Sequence, residues 1–162
     1  MTETTVGERV VELLVQNGYG PRDSLEGCTE EDLDELERRY DITLPEAYRS
    51  CMRHIGRSSN KLFEGSHFNY PGVRRQTEFA RDLAEDRATD LDLPDDIFVF
   101  HGLQGYAFDC FRTTEGEDPP VYLFTKFDPQ DSGGTYELRQ MSDSFSDWIF
   151  KRAKSRTPDT DI

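Results

Sequence analysis

The 162-residue sequence has little of what secreted, membrane-spanning or nucleic-acid-binding chains need. Its three cysteines, Cys28, Cys51 and Cys110, are odd in number and far apart, which argues against a disulfide framework and indicates reduced thiols in a cytosol. No stretch approaches the roughly 18 to 20 consecutive apolar residues of a membrane span, and the N-terminus MTETTVGERV has no basic segment followed by an apolar one. We therefore expect a cytoplasmic protein without membrane contact.

Positive charge is also scarce. The chain has 19 Lys and Arg against 33 Asp and Glu, a formal net charge of −14, and most of the basic residues are arginines. Such a chain repels phosphate backbones, and no concentrated basic patch is evident, so direct nucleic-acid binding is not expected. The charge suits a basic protein partner, because opposite fields accelerate encounter. A surface built for high salt explains the same composition equally well.

The length fits one domain, which we place at residues 1–153, with residues 154–162 as a tail that lacks an apolar anchor and should fray. Chains of this size can hide about 70% of their unfolded surface, and here 11 Phe and 7 Tyr supply large buried areas.

Helical spacing of apolar residues dominates the first half of the chain. It predicts helices over 6–16, from Thr29 to Tyr40, from Pro45 to Gly56, and over 74–88. Thr29 and Asp32 fit a capping box, and Gly56 is a plausible left-handed helix end. In the fourth helix we expect Phe79 and Leu83 to share one side. The intervening stretch 57–72 has no clear period.

After Pro94 the pattern changes to that of β-strands. Strands are predicted at 97–100, 106–111, 121–124 and 135–139, the first two joined by a turn at 102–105. The acidic run 90–96 before them is interpreted as a solvated linker. Ser142 or Ser144 then caps a closing helix that contains Phe145, Trp148 and Ile149. The fold class is therefore α+β, with N-terminal helices, an antiparallel β-meander of about four or more strands, and a C-terminal helix.

Three strings carry a family resemblance. "TEEDLDELERRYDITLPEAYRSCMRHIG" (29–56) has an acidic helix, a Leu-Pro corner, Tyr48 and an apolar helix ending at Gly56. "FVFHGLQGYAFDCF" has a glycine-containing turn and an aromatic strand with Asp109, and "SFSDWIF" fits a terminal amphipathic helix. In their order and spacing these strings resemble the SUKH superfamily, which includes the fungal Smi/Knr cell-wall regulators and many bacterial immunity proteins. Arg57 stands where that family usually has a second glycine.

The resemblance implies a binding domain without catalytic activity and without a cofactor. Family members encoded beside polymorphic toxins bind and silence a cognate toxin, often a nuclease or deaminase, whereas fungal members act as regulatory interaction modules. We therefore expect a protein partner, such as a basic toxin, and keep the regulatory module as the alternative.

An alternative from another class is a small hydrolase with a Cys/His site. Cys110 and His101 lie on neighbouring predicted strands, although Cys110 should face away from Asp109 and Phe111. Cys51 and His54, three residues apart on a helix, could offer two metal ligands, but a zinc site needs more. We favour packing roles for both cysteines, and predict no metal site.

Candidate partner-binding residues are acidic or aromatic and lie mainly in loops at the ends of the sheet, where binding groups are often placed. They are Tyr106, Asp109, Glu115, Glu117, Asp118, Asp128 and Asp131. Tyr106 would anchor an interface if it were exposed, although burial in the sheet core is the expectation for both Tyr106 and Tyr122.

Overall fold

The computed structural model describes residues 4–87, 93–127 and 136–154. The helices in these ranges are α1 (Val6–Gln16), α2 (Glu30–Tyr40), α3 (Glu46–Ile55), α4 (Gln76–Arg87) and α5 (Phe145–Lys154). The strands are β1 (Ile97–Leu103), β2 (Ala107–Arg112), β3 (Val121–Thr125) and β4 (Glu137–Ser142). Each strand pairs antiparallel with the next, in the order β1-β2-β3-β4. The predicted α+β architecture, with a meander between N-terminal helices and a C-terminal helix, is confirmed.

Local hydrogen bonds explain where the first helices begin. The Thr29 hydroxyl accepts from the Asp32 amide, and the Asp32 carboxylate accepts from the Thr29 amide, so the predicted capping box is present. Thr5 and Glu8 form an equivalent box at the start of α1. Each box satisfies amide groups that would otherwise have no partner at a helix start.

The prediction for Gly56 was wrong. Its φ of −67° and ψ of −27° are right-handed, so its lack of a side chain serves another purpose. A Cβ atom there would lie 2.4 Å from Cys28 Sγ and 2.5 Å from Met52 O. Gly56 is therefore needed because the segment that enters α2 passes close to the end of α3.

Helix α4 also departs from its prediction, because a short 3-10 helix, Gly72–Arg75, precedes it. Its buried residues are Gln76, Thr77, Ala80 and Ala84, whereas Leu83 is half-buried and Phe79 is 42% exposed. Small side chains let the helix approach β1 closely, and the Val99 amide donates to Thr77 Oγ1 at 2.8 Å. Phe79 is left on the outer surface.

The sheet has an apolar layer on each face. On the face of α3 and α5, Tyr48 packs edge-on against Phe98, Phe111 and Phe145, with ring centroids 5.4 to 5.6 Å apart. On the α4 face Cys110 packs in a second cluster with Phe108 and Phe124 among others. Cys110 and Phe111 thus lie on opposite faces, as predicted.

A β-bulge changes the direction of one side chain in this sheet. Val99 pairs with Cys110 and His101 pairs with Asp109, so Phe100 is an extra residue in β1. The bulge places His101 on the same face as Phe100, where both rings contact Trp148. Strict alternation would have placed His101 on the opposite face.

Tyr48→Phe should leave stability unchanged or raise it by about 1 kcal/mol, because the fully buried Tyr48 hydroxyl has no hydrogen-bond partner among the residues that the structure describes. Tyr40→Phe is the matched control: its hydroxyl donates to Arg74 O, so its removal should cost about 1 kcal/mol. Urea unfolding of both variants measures the difference. A clear loss of stability in Tyr48→Phe would contradict the assignment of an unpaired hydroxyl.

Candidate functional site

The structure separates the predicted partner-binding residues. Glu115, Glu117 and Asp118 lie in the loop after β2, whereas Tyr106 immediately precedes β2. Strand β2 has six residues, so its ends are about 20 Å apart at 3.3 Å per residue. Asp128 and Asp131 lie outside the described residues. The predicted set is therefore not one continuous surface.

Asp109 lies inside the molecule and cannot contact a partner directly in this structure. It is 6% exposed, and its Oδ2 lies 2.8 Å from Nδ1 of the fully buried His101. The opposite imidazole nitrogen, Nε2, lies 2.8 Å from Ser66 Oγ. Asp109 fails as a surface residue because the bulge at Phe100 turns His101 toward it.

Ser66 contacts His101, and His101 contacts Asp109, as in the hydrogen-bond relay of a serine hydrolase. The groups around Ser66 decide whether this relay is catalytic or structural. Such enzymes need free amide donors beside the serine to stabilise an oxyanion. Here the Ser66 amide donates to Phe63 O at 3.0 Å and the His67 amide donates to Gly102 O at 2.9 Å. These contacts favour a structural role, in which the relay fixes the segment between α3 and α4 to the sheet.

The cysteine sites considered from the sequence are buried in packing environments. Burial raises the pKa of the Cys110 thiol, and Cys110 lies on the sheet face opposite His101 and Asp109, so the two do not form a nucleophile pair. Cys51 is fully buried and its pKa is likewise raised by burial. Within residues 4–87, 93–127 and 136–154, no three His, Cys, Asp or Glu side chains are grouped to hold a metal ion.

The loop between β2 and β3 caps two helices. Glu117 Oε1 accepts from the Glu46 amide at 2.9 Å, and the Glu117 carbonyl accepts from the Ala47 amide at 2.9 Å. Helix α3 needs this contact because Pro45, at its N-cap, provides no side-chain acceptor. A carboxylate at a helix start is also favoured by the helix dipole.

Asp118 performs the same task for α5. Its Oδ1 accepts from the Ser146 amide at 2.9 Å and its Oδ2 accepts from the Ser146 hydroxyl at 2.5 Å. Ser144 Oγ accepts from the Asp147 amide at 3.1 Å, so Ser144 is the cap that the sequence offered with Ser142 as the alternative. Glu115 accepts from the hydroxyl of half-buried Tyr122 at 2.9 Å. All three loop carboxylates remain exposed while being held in place.

An acidic groove of about 410 Å³ adjoins this loop. It lies between the α2–α3 corner and the ends of β1 and β2, and is lined by Asp41, Ile42, Thr43, Asp95, Asp96, Thr113 and Thr114. Asp41 and Asp95 are exposed. Partial burial pushes the pKa of Asp96 up, but hydrogen bonds from Thr114 and Arg112 bring it below its ordinary value. Asp96 is therefore held ionised and is paired with Arg112.

The sequence does not predict this groove, because an acidic run such as 90–96 is typical of a solvated linker. A signal was present: Asp95 and Asp96 directly precede β1, and residues 113–114 directly follow β2. In an antiparallel hairpin these two ends meet, and Ile97 indeed pairs with Arg112.

Tyr106 corrects another expectation. It is 55% exposed instead of buried, because it lies in the β1–β2 turn beyond the sheet core. The Thr125 hydroxyl donates to its carbonyl at 2.9 Å, which fixes the turn to β3. Its ring is available as an aromatic contact at this end of the sheet.

Asp118→Ala should lower the free energy of unfolding by about 1 kcal/mol, because it removes the acceptor for the Ser146 amide and hydroxyl in the first turn of α5 and leaves only the Ser144 cap. Asp118→Asn keeps an acceptor for the Ser146 amide, so its free energy of unfolding should fall by less. Thermal unfolding compares both with Glu115→Gln, which changes one exposed contact only. Equal melting temperatures for Asp118→Ala and the unmodified chain would contradict the capping role.

Stability should fall as the pH is lowered below about 6.5, because burial lowers the pKa of His101 although its hydrogen bond to the Asp109 carboxylate acts to raise it. Below the unfolded pKa of about 6.5, the unfolded chain binds a proton that the folded imidazole resists. The contribution of the neutral His101 to stability is thus fully present above that pH, and it is lost as the pH falls toward the folded pKa. An NMR titration of the His101 ring measures the folded pKa. The control variant His67→Gln should show the same lowered pKa of His101. A folded His101 pKa above 6.5 would refute this assignment.

None of the helices in the described ranges combines the length and apolar character needed to cross a membrane.

A comparison with curated protein sequences gave no significant match. The model of the SMI1 / KNR4 family (SUKH-1) matches residues 27–151, from the segment before α2 into α5. The match covers more than half of the chain and includes the groove, the capping loop and the buried relay, and it agrees with the observed α+β architecture. The chain therefore belongs to the SMI1 / KNR4 family (SUKH-1).

Proposed function

We propose that this protein is a non-catalytic binding module, and that it acts in the cytoplasm as an immunity protein that occludes a basic toxin of the nuclease or deaminase type. Membership of the SMI1 / KNR4 family carries this proposal, because the superfamily resemblance implies protein interaction. The net charge of −14 supports a basic partner, since opposite fields speed encounter and disfavour wrong complexes.

We assign the contact to an acidic face, defined as Asp41, Asp95, Asp96, Glu115, Glu117 and Asp118. Three of these carboxylates are bound to helix starts or to Tyr122, so the loop is ordered before a partner arrives. A preorganised loop loses little conformational entropy on binding. The groove beside it offers threonine hydroxyls and ionised carboxylates to a Lys or Arg side chain. Inhibition would then be steric and electrostatic.

Other predicted contacts keep a place in the proposal. Exposed Tyr106 would serve as an aromatic anchor for a partner that also reaches the far end of the sheet. Asp128 and Asp131 remain predicted contacts. Asp109 is left out because it is buried against His101. A regulatory interaction module of the Smi/Knr type remains the alternative function, supported by the same family membership.

The double variant Asp95→Lys/Glu115→Lys should weaken binding to a toxin encoded beside this gene by about a hundredfold, mainly through slower association that is sensitive to salt. Surface plasmon resonance with the inactivated toxin measures both rates. Glu64→Lys is the matched control, since Glu64 is exposed on the segment between α3 and α4. Unchanged association rates in the double variant would refute the acidic face. A neighbouring gene without toxin activity would favour the regulatory module.

A further inference from the structure

One surface of this acidic protein is rich in arginine and aromatic residues. It runs over α2, the 3-10 helix and α4, and four guanidinium groups there lie over three aromatic rings. The contacts are Arg39 on Tyr40 at 5.9 Å, Arg57 on Tyr70 at 5.0 Å, Arg74 on Tyr70 at 5.7 Å and Arg75 on Phe79 at 5.4 Å. We call these seven residues the arginine–aromatic patch.

The patch is continuous. Glu78 connects its two halves, because it contacts Arg39 at 2.7 Å and Arg75 at 3.7 Å. The Tyr40 hydroxyl donates to the Arg74 carbonyl, which joins α2 to the 3-10 helix. The Tyr70 ring contacts the guanidinium groups of both Arg57 and Arg74.

Most of the charges in the patch are already paired. Arg57 makes two hydrogen bonds of 2.8 Å to Asp32, and Arg39 contacts Glu78 and Glu35. Arg74 differs: among the described residues its guanidinium has neither a hydrogen bond nor an ion pair, and it lies over the Tyr70 ring. A half-buried cation without an acceptor is costly in a monomer and is a natural place for a partner's acceptor.

The composition is that of a protein contact. Arginine and aromatic residues are enriched at the energetic centres of interfaces, and Phe79 adds a large apolar side chain that is 42% exposed. Among the groups in contact, four guanidinium groups and three carboxylates, Asp32, Glu35 and Glu78, leave a surplus of one positive charge. The patch therefore complements an acidic ligand, unlike the acidic face.

We propose that the arginine–aromatic patch is a second contact surface, which receives an acidic and apolar segment of a protein partner. An Asp or Glu carboxylate of that segment would accept from Arg74, and a neighbouring apolar side chain would cover Phe79. The inference rests on the proposed protein-binding role but not on the acidic face. Because the net charge of the chain opposes an acidic ligand at long range, recognition here must come from short-range contacts.

The test uses the full chain and two synthetic peptides, acetyl-Leu-Asp-Glu-Leu-Asp-amide and its neutral counterpart acetyl-Leu-Asn-Gln-Leu-Asn-amide. NMR titration of the ¹⁵N-labelled protein at physiological salt should give saturable shifts confined to the amides of residues 70–79 and to Arg74 Nε–H, with the acidic peptide only. Arg74→Gln should weaken the affinity for the acidic peptide by at least about tenfold, as expected for the loss of a charge-assisted hydrogen bond.

Arg38→Gln is the matched control, because it removes the same charge from an exposed position of α2 outside the patch. It should leave the peptide affinity unchanged. Phe79→Ser is a second variant at an exposed position. It should fold, and it should also lower the affinity for the acidic peptide. The inference is overturned by the absence of saturable shifts, by equal binding of the neutral peptide, or by an equal effect of Arg38→Gln. Variants of the acidic face should not alter peptide binding, so failure of the toxin proposal would be recognised separately.

Discussion

The structure depends on a loop that supplies acceptors to helices distant in sequence. Helices α3 and α5 form the layer over one face of the sheet, and both begin beside the β2–β3 loop. Pro45 provides no side-chain acceptor for α3, so its first amides depend on Glu117, which is 71 residues from Glu46. Without these contacts the first amides of both helices would lose their protein acceptors at the edge of the aromatic core. The same contacts fix the geometry of the loop.

Many other carboxylates of this acidic chain also have structural partners, which explains the preference for arginine over lysine. Arg49 contacts Glu30, Asp34 and Glu37, and Arg53 contacts Glu30 and Glu46. One guanidinium can serve several carboxylates because its five donors lie in a fixed plane, whereas an ammonium is a point charge. The acidic surface of α2 is therefore tied to α3. Asp41 and Asp95, which line the groove, are exposed and are not among the carboxylates of α2 that arginines of α3 hold.

Local patterns predicted the elements well, and contacts between distant residues escaped them. The Thr29–Asp32 box, the β1–β2 hairpin and the cap at Ser144 follow from residues a few positions apart, so the sequence reveals them. Asp109 was misplaced because a single extra residue in β1 turns His101 inward, and a bulge leaves no regular trace in alternation. Glu117 and Asp118 were correctly placed in an exposed loop, but their capping roles required the tertiary structure. The groove also escaped prediction, because its walls come from three separated segments that meet only in the folded chain.

The two surfaces of opposite charge place demands on a partner that neither surface makes alone. The acidic face is rigid and highly charged, which favours fast encounter with a basic protein and gives little discrimination among basic proteins. The arginine–aromatic patch contributes nothing at long range, because its charges are mostly paired and the net field opposes its ligands. It gains energy only when a carboxylate reaches Arg74 and an apolar group covers Phe79. A partner that satisfies both would need a basic region and an acidic, apolar segment at a matching separation, and this requirement can distinguish one basic protein from another.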